Sequence, residues 1–328
     1  MSAPPDKAVE VDEDGGNEAS GRPSEPLVIV GPTASGKSAL AVSLARRWPG
    51  LEILSADAMA VYRGMDIGTA KPDEATLAET PHRLVDIRDP EDAYSAGDFV
   101  RDAREAMDAI FEAGRTPLLV GGTMMYFRAL TAGMAELPPA DSGVRAAIDA
   151  EAAQRGWPAL HDELRRVDAA AAARINPNDS QRIQRALEVY RLSGRPLSAW
   201  QEDTPASGEL AFEKLALQVE PRALLHQRIA KRLERMLDAG FTDELRRLMQ
   251  RPGLHRDSPA MRAVGYRQFW AHLAGECTFE EAKSRALAAT RQLAKRQITW
   301  LRSESGVRTF DALDSGVADV ISGVLEVR

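Results

Sequence analysis

One cysteine, Cys277, and a lack of long apolar runs limit what this 328-residue chain can be. A single thiol excludes an intrachain disulfide and a zinc site built from several cysteines. Apolar runs such as 27–30 and 118–120 are far shorter than the roughly 18 residues that a membrane-spanning helix needs. None of the five histidines has metal-ligand spacing. We therefore expect neither a disulfide scaffold, nor a Cys/His metal centre, nor a membrane protein.

Positive charge is also in short supply, with 42 Lys and Arg against 49 Asp and Glu and a net charge of −7. That balance excludes a protein that coats nucleic acid indiscriminately, but it does not exclude a local basic site. Residues 1–26 carry −5 of the total, which leaves −2 for the rest. Because this segment contains scattered Pro, Gly and Ser and no apolar periodicity, we predict a disordered acidic tail. It lacks the apolar core of a signal peptide, so we expect a cytoplasmic protein.

Short apolar segments alternate with helical patterns in the first part of the chain. Strands are predicted at 27–30, 51–54, 83–87 and 116–120, and an amphipathic helix is predicted over 97–113. This alternation is typical of a parallel α/β sheet.

The rest of the chain is predicted to be mostly helical. A composition rich in Ala, Arg, Asp and Glu predicts an all-helical insertion with an exit loop over 202–210. A strand at 215–219 returns to the sheet, a helical stripe follows over 221–249, and helix continues to about residue 301.

These elements predict an α/β protein with a P-loop NTPase-like parallel sheet, an all-helical insertion domain and a helical C-terminal part. The predicted parts are the tail 1–26, a catalytic core formed by 27–139 and 211–328, and the insertion 140–205.

The strand at 27–30 runs into a sequence that satisfies G-x-x-x-x-G-K-[ST], with a helix after it. Consecutive backbone N–H groups and the helix N-terminus converge on an anion, Lys37 adds a positive charge, and the Ser38 hydroxyl can hold Mg²⁺. The predicted phosphate-binding residues are Gly31, Pro32, Thr33, Ala34, Ser35, Gly36, Lys37 and Ser38. The strand at 116–120 runs into Gly121-Gly-Thr123, where an ATP-hydrolysing enzyme would have an Asp for Mg²⁺. Kinase and non-kinase functions therefore both remain open.

Polar residues follow two other strands at the rim where α/β sheets bind ligands. Asp57 follows 51–54, and its carboxylate could accept a proton from a substrate or could cap a helix. Thr123 could offer its hydroxyl to the same crevice or could cap the next helix. The residues alone do not decide between these alternatives.

Long motifs occur in one order along most of the chain. They are Gly31–Ser38, Tyr62–Pro72, His82–Pro90, Gly121–Thr123, Asp179–Val189, Val264–Gln268 and Ala289–Leu301. Over about residues 27–302 these motifs resemble bacterial tRNA dimethylallyltransferases, the IPP transferase family.

The resemblance implies transfer of a dimethylallyl group from dimethylallyl diphosphate to N6 of adenosine 37 in tRNA, with release of pyrophosphate. The phosphate loop would then hold a diphosphate leaving group, with Mg²⁺ as cofactor held through Ser38. Asp57 would be the base that the weakly nucleophilic adenine amine needs, and Arg232 matches the arginine that meets the diphosphate. The implied catalytic residues are Asp57, Thr123 and Arg232.

The implied partner is the tRNA anticodon stem-loop, gripped by the helical insertion of a monomeric enzyme. The target adenine must leave its stack to reach the base. The implied tRNA contacts are Asp57, Ala58, Met59, Ala60, Thr123, Arg145, Gln181, Arg182, Ile183, Gln184, Arg185, Arg262, Ala263, Val264, Gly265, Tyr266 and Arg267. Arg145 also has an alternative interpretation as an ordinary exposed arginine. The chain departs from many relatives at Ala58 and Ala60, where they have Ser and Gln, and at Ala263, where they have Cys.

Two helical runs are locally basic, since residues 174–195 carry +3 and residues 290–302 carry +4. A charge run is usually a solvated helix face, but with the resemblance both runs are predicted to contact RNA phosphates in a salt-dependent way. In the first run, helical spacing places Gln181, Arg182, Gln184, Arg185 and Glu188 outward.

Three other functions remain as alternatives. A P-loop small-molecule kinase would consume ATP, a sister enzyme would prenylate free adenine nucleotides, and an RNA-binding module would bind tRNA without turnover. The insertion and the basic helix 181–185 favour tRNA over a free nucleotide.

Overall fold

The computed structural model describes residues 25–203 and 212–326. The predicted tail as far as residue 24 and the predicted exit loop from residue 204 onward lie outside the described residues. In the described parts of the chain, no helix combines the length and the apolarity that a membrane span requires.

Strands within the described residues form one parallel sheet. They are β1 (Leu27–Val30), β2 (Leu51–Ala56), β3 (His82–Arg83), β4 (Thr116–Gly121), β5 (Glu213–Gln218) and β6 (Val307–Asp311). Their order is β3-β2-β4-β1-β5-β6, with β1 between β4 and β5. All four residues of β1 are buried, as expected of a central parallel strand covered on both faces. The carboxyl ends of β1, β2 and β4 therefore adjoin.

Helices cover the sheet and extend the fold beyond it. They are α1 (Lys37–Arg47), α2 (Glu74–Glu79), α3 (Ala96–Glu112), α4 (Met124–Ala132), α5 (Ser142–Arg155), α6 (Trp157–Val167), α7 (Ala169–Arg174), α8 (Ser180–Ser193), α9 (Leu197–Glu202), α10 (Arg222–Asp238), α11 (Phe241–Met249), α12 (Tyr266–Leu273), α13 (Phe279–Ser303) and α14 (Val317–Glu326), with a 3₁₀ turn at Pro259–Arg262. The predicted α/β class with a helical part is confirmed.

The two faces of the sheet bury separate apolar layers. Leu40 and Leu44 of α1 pack with Ile321 of α14 on one face. Phe99 of α3 and Tyr126 of α4 stack on the other, with ring centroids 4.1 Å apart. Because both faces are covered, the carboxyl edge of the sheet is the place where a ligand can approach.

Helices α5 to α8 share a core of their own, separate from the sheet layers. Ile148, Leu160, Leu164, Ile183 and Leu187 are buried together there. The domain boundaries at 140 and 205 stay a prediction.

The predicted third strand at 83–87 is too long. Leu84 and Asp86 have φ of 61° and 55°, in the left-handed region, so a strand ladder cannot continue through them. The chain turns instead, and the Ile87 N–H donates to the Val61 carbonyl oxygen at 2.9 Å.

Two further corrections concern the chain after residue 221. The helical stripe over 221–249 is two helices, α10 and α11, because Gly240 between them has φ of 95°. The C-terminal part is not wholly helical, since β6 pairs in parallel with β5 at the edge of the sheet. The five residues of β6 are all exposed or half-buried, so this strand lacks the continuous apolar run that marks β1.

Candidate active site

The segment Gly31–Ser38 turns sharply between β1 and α1. Ala34 and Gly36 have left-handed φ of 65° and 103°, and successive N–H groups in such turns form an anion-binding concavity. Gly31 admits no side chain, because a Cβ there would lie 2.9 Å from the Leu217 carbonyl oxygen of β5. The loop therefore packs directly against the sheet.

Two cations beside this loop, Lys37 and Arg232, have side chains that make no hydrogen bond and no ion pair within the described residues. Burial lowers the pKa of Lys37 to about 8, although Asp57 opposes this shift and Arg232 adds to it. Burial also lowers the pKa of Arg232, again against the effect of Asp57. Positive charges that the protein desolvates but does not pair suit a bound anion.

Residues from distant helices hold the loop in place. Gln297 of α13 accepts from the Thr33 N–H at 2.8 Å and donates to the Gly122 carbonyl oxygen at 2.7 Å. Arg228 of α10 donates to the Ala34 carbonyl oxygen at 2.8 Å. The sequence patterns assign neither residue a role. Gln297 lies in the last of the quoted motifs, a signal that could have marked it, whereas Arg228 lies in none.

Asp57 and Thr123 meet where β2 and β4 end. Asp57 Oδ1 accepts from the Met59 N–H at 2.9 Å, and Thr123 Oγ1 accepts from the Ala58 N–H at 3.0 Å. The Asp57 carboxylate thus stabilises a turn, and within the described residues it caps no helix. The Thr123 side chain makes no capping hydrogen bond to α4 in the same part of the chain. The two strand ends approach so closely that a Cβ at Gly121 would lie 2.1 Å from a carbonyl oxygen of β2.

A cavity of about 1550 Å³ opens at this edge of the sheet. Lys37, Ser38, Asp57, Thr123 and Arg232 all line it, so the three predicted catalytic residues share one space with the phosphate loop. Pockets for single small ligands commonly measure roughly 300–1,000 Å³. The larger volume leaves room for two reactants.

Most of the predicted tRNA contacts line this cavity or a neighbouring one. Besides Asp57 and Thr123, the large cavity is lined by Ala58, Met59, Ala60, Arg182, Arg262, Ala263, Val264 and Tyr266. A second cavity of about 320 Å³ lies between α8 and the core, and its lining includes Gln181, Gln184, Arg262 and Arg267. Arg262 belongs to both linings, so the two cavities adjoin.

Four predicted tRNA contacts do not line these two cavities. Gly265, with φ of 96°, precedes α12. Ile183 is 0% exposed within the core of the insertion helices, so its side chain does not face a ligand. The other two, Arg145 and Arg185, bind the carboxylate of Glu188.

Glu188 is a buried acid at the centre of this arginine pair. Arg145 donates to both of its oxygens, at 2.8 and 3.1 Å, and Arg185 donates to it at 2.7 Å. The predicted outward orientation of Glu188 is wrong, because it is 0% exposed. Two guanidinium groups and the Asp141 N–H compensate the burial of its charge.

The large cavity offers few protein oxygens to Mg²⁺. Ser38, the second residue of α1, is exposed and shares the cavity lining with Asp57. Mg²⁺ usually takes one or two protein oxygens and completes its shell with substrate phosphates and water. In residues 25–203 and 212–326, no group of three or more His, Cys, Asp or Glu side chains is arranged for a metal. The site thus fits a metal that binds together with a phosphorylated substrate.

Comparison with known proteins gives consistent matches over most of the chain. The family model described as IPP transferase matches residues 60–304. A tRNA dimethylallyltransferase of Thiobacillus denitrificans is 56% identical over 287 residues, which cover 88% of this chain and 91% of that protein. One from Thioalkalivibrio sulfidiphilus is 55% identical over 300 residues, covering 91% of this chain and 93% of that protein.

A solved structure shares the fold. The full-length tRNA isopentenylpyrophosphate transferase of Bacillus halodurans matches with a TM-score of 0.65 at 38% identity, covering 92% of this chain and 97% of that one. The resemblance carried by the sequence motifs is thereby confirmed. This chain belongs to the IPP transferase family.

Proposed function

We propose that this protein transfers the dimethylallyl group of dimethylallyl diphosphate to N6 of adenosine 37 in tRNA, giving N6-(dimethylallyl)adenosine and pyrophosphate. One observation carries the proposal: the Asp57 carboxylate shares a cavity with Lys37 and Arg232, two cations without a partner in the described residues. Such cations suit a diphosphate, and the carboxylate suits proton acceptance. The relatives named as tRNA dimethylallyltransferases support the choice of reaction.

In this reaction the N6 lone pair attacks the methylene carbon that bears the diphosphate, and the carbon–oxygen bond to the diphosphate breaks. The amine is a weak nucleophile because its lone pair is delocalised into the ring, so a proton must leave N6 as the new bond forms. Asp57 accepts that proton. The Met59 N–H orients the carboxylate, and Thr123 holds the turn in which it lies. General-base catalysis of this kind contributes about 10²–10⁴-fold to a rate.

The leaving pyrophosphate carries away the electrons of the broken bond, and negative charge develops on it. Lys37, Arg232 and the N–H groups of the loop 31–38 stabilise that charge from fixed positions, which Gln297 and Arg228 maintain. The Ser38 hydroxyl would hold Mg²⁺, which would neutralise part of the diphosphate charge.

For the tRNA, we propose that the insertion 140–205 and the core formed by 27–139 and 211–328 enclose the anticodon stem-loop. The target adenosine leaves its stack and enters the large cavity, while Gln181 and Arg267 contact the loop from the second cavity. We propose that the active form is a monomer. The tRNA substrate supports action in the cytoplasm.

The test is to incubate the protein with labelled dimethylallyl diphosphate, Mg²⁺ and unmodified tRNA. Label is expected in a tRNA with adenosine at position 37 and not in the same tRNA with guanosine there. An unlabelled adenosine tRNA would contradict the proposal. Competition by free AMP would favour a nucleotide substrate instead, and phosphate transfer from ATP without prenyl transfer would favour a kinase.

A further inference from the structure

A buried carboxylate away from the reacting groups joins two segments of the cavity wall. Glu244 of α11 is 3% exposed. One of its oxygens accepts from the N–H groups of Asp66 and Ile67, at 2.9 and 2.7 Å. The other accepts from the Gly68 N–H at 3.1 Å and from the Tyr266 hydroxyl at 2.5 Å. Glu244 thus accepts four hydrogen bonds, two on each carboxylate oxygen.

Both segments that Glu244 joins contribute residues to the wall of the large cavity, although Glu244 itself does not line it. Residues 68–72 and Tyr266 belong to the lining of the cavity that contains Asp57. They also pack tightly, because a Cβ at Gly68 would lie 2.3 Å from the Phe241 ring and 2.6 Å from the Tyr266 ring. The position of the loop thus depends directly on the position of this tyrosine.

A second buried charge fixes the same loop from its other end. The Lys71 side chain is 2% exposed, and its ammonium donates to the Tyr62 carbonyl oxygen at 2.8 Å. It also pairs with Asp66 at 2.5 Å and with Asp86 at 2.6 Å. The loop is therefore held at both ends by charged groups, and Glu244 connects it to the segment that contains Tyr266.

We propose that Glu244 is a positioning residue that fixes the tRNA-facing wall of the cavity by tying the loop 66–72 to the segment 262–267. The inference rests on the proposed function, in which Arg267 of this segment contacts the tRNA and the target adenosine enters the cavity that Tyr266 lines. A carboxylate that receives four donors holds them with charge-assisted hydrogen bonds, which are shorter and stronger than neutral ones. The wall is then fixed before the adenine arrives, and fixed geometry of this kind contributes directly to rate.

The informative variant is Glu244→Gln, which keeps size and shape. An amide NH₂ turned toward the Asp66 and Ile67 N–H groups loses both of those hydrogen bonds. Turned the other way it loses the bond from the Gly68 N–H, because only the Tyr266 hydroxyl can rotate to accept from it. Either orientation also removes the negative charge that strengthens the remaining bonds. We expect kcat/KM for tRNA to fall about tenfold. The KM for dimethylallyl diphosphate should change less than twofold, because the phosphate loop is untouched. Tyr266→Phe removes one of the four bonds and should give a smaller fall of the same kind.

Asp243→Asn is the matched control, since Asp243 is an exposed acid on the same helix that pairs only with Arg246 in the described residues. It should behave as wild type. The proposal would be overturned if Glu244→Gln had wild-type kinetics. It would also be overturned if kcat/KM fell equally for tRNA and for dimethylallyl diphosphate while the melting temperature decreased. If Glu244→Gln does not fold, the same comparison in Tyr266→Phe decides. A wild-type protein that does not modify tRNA would contradict the proposed function instead.

Discussion

The two basic helical runs of this protein differ in what surrounds their charges. In the run 174–195 the arginines already have partners: Arg174 binds Gln201, Arg182 pairs with Asp179, Arg185 with Glu188, Arg191 with Glu151 and Glu163, and Arg195 with Asp203. In the run 290–302 on α13, Arg291, Lys295, Arg296 and Arg302 have no ion pair within the described residues. Similar net charges therefore conceal different surroundings. Arg191 joins α8 to Glu151 of α5 and Glu163 of α6, whereas among the described residues the cations of the run 290–302 have no acid to displace before they could meet a phosphate.

The same contrast distinguishes the cavity from the insertion. Among the described residues, Lys37 and Arg232 are unpaired beside the phosphate loop, whereas Arg145 is bound to a buried carboxylate. A groove of about 330 Å³ between α10 and α13 has a mixed lining that includes the cations Arg222, Arg291 and Lys295. Pairing thus separates charges that bind other parts of the protein from charges that are available to a ligand.

The largest expected effect comes from the acid beside the unpaired cations. Asp57→Asn keeps an acceptor for the Met59 N–H but cannot take a proton, so turnover should fall at least ~10²-fold while tRNA affinity is nearly unchanged. Single-turnover rates and direct tRNA binding measure the two quantities. Asp162→Asn, which replaces an exposed acid paired with Arg165, should leave both unchanged. An unaltered rate in Asp57→Asn would remove Asp57 from the mechanism.

The second largest effect is expected when an unpaired arginine is substituted, and a paired arginine provides the comparison. Arg232→Gln removes a cation from the diphosphate site, so kcat/KM for dimethylallyl diphosphate should fall about 10- to 100-fold. Arg191→Gln removes a guanidinium that is bound to Glu151 and Glu163, and should leave this ratio within about twofold of wild type. Steady-state kinetics on both variants measures kcat/KM for dimethylallyl diphosphate and tests this difference. Equal decreases would show that pairing does not distinguish the two roles.

Varying pH tests the second unpaired cation. Lys37 is charged below its pKa of about 8 and neutral above it. As pH rises past that value, kcat/KM for dimethylallyl diphosphate should fall, by about tenfold one pH unit higher. Bound diphosphate favours the charged lysine, so kcat at saturation should hold to higher pH. Lys37→Arg, which does not titrate in this range, should abolish the decline; its persistence there would assign the decline to another group.

The sequence predicts the parts of the site that depend on local pattern. The buried run of β1 and the spacing from Gly31 to Ser38 identify the phosphate loop, and the end of β2 places Asp57 beside it. Contacts between distant parts of the chain cannot be predicted in this way, because no local spacing of residues marks them. Gln297 reaches Thr33 across 264 positions, for example.

The state of a charged side chain is equally invisible in the sequence. Glu188 occupies an outward position by helical spacing, yet Arg145 of α5 approaches it from another helix and, with Arg185 of its own helix, compensates the burial of its charge. The edge strand β6 is not predicted for another reason: a half-exposed strand needs no continuous apolar run.

The smallest effect tests the two basic runs directly. Arg291→Gln with Lys295→Gln removes two cations of the unpaired run, and the slope of log affinity against log salt should become shallower by roughly 0.7–0.9 for every phosphate that is no longer neutralised. At about 150 mM salt we expect tRNA affinity to weaken about fivefold. Arg191→Gln with Arg195→Gln removes the same charge from the paired run, so it should lower the melting temperature and leave the salt slope unchanged. Affinity measured over a salt series separates the outcomes, because net charge changes equally in both variants. An equal decrease in slope for both would mean that RNA phosphates displace the acids of the paired run, and the contrast between the runs would then hold only for the free protein.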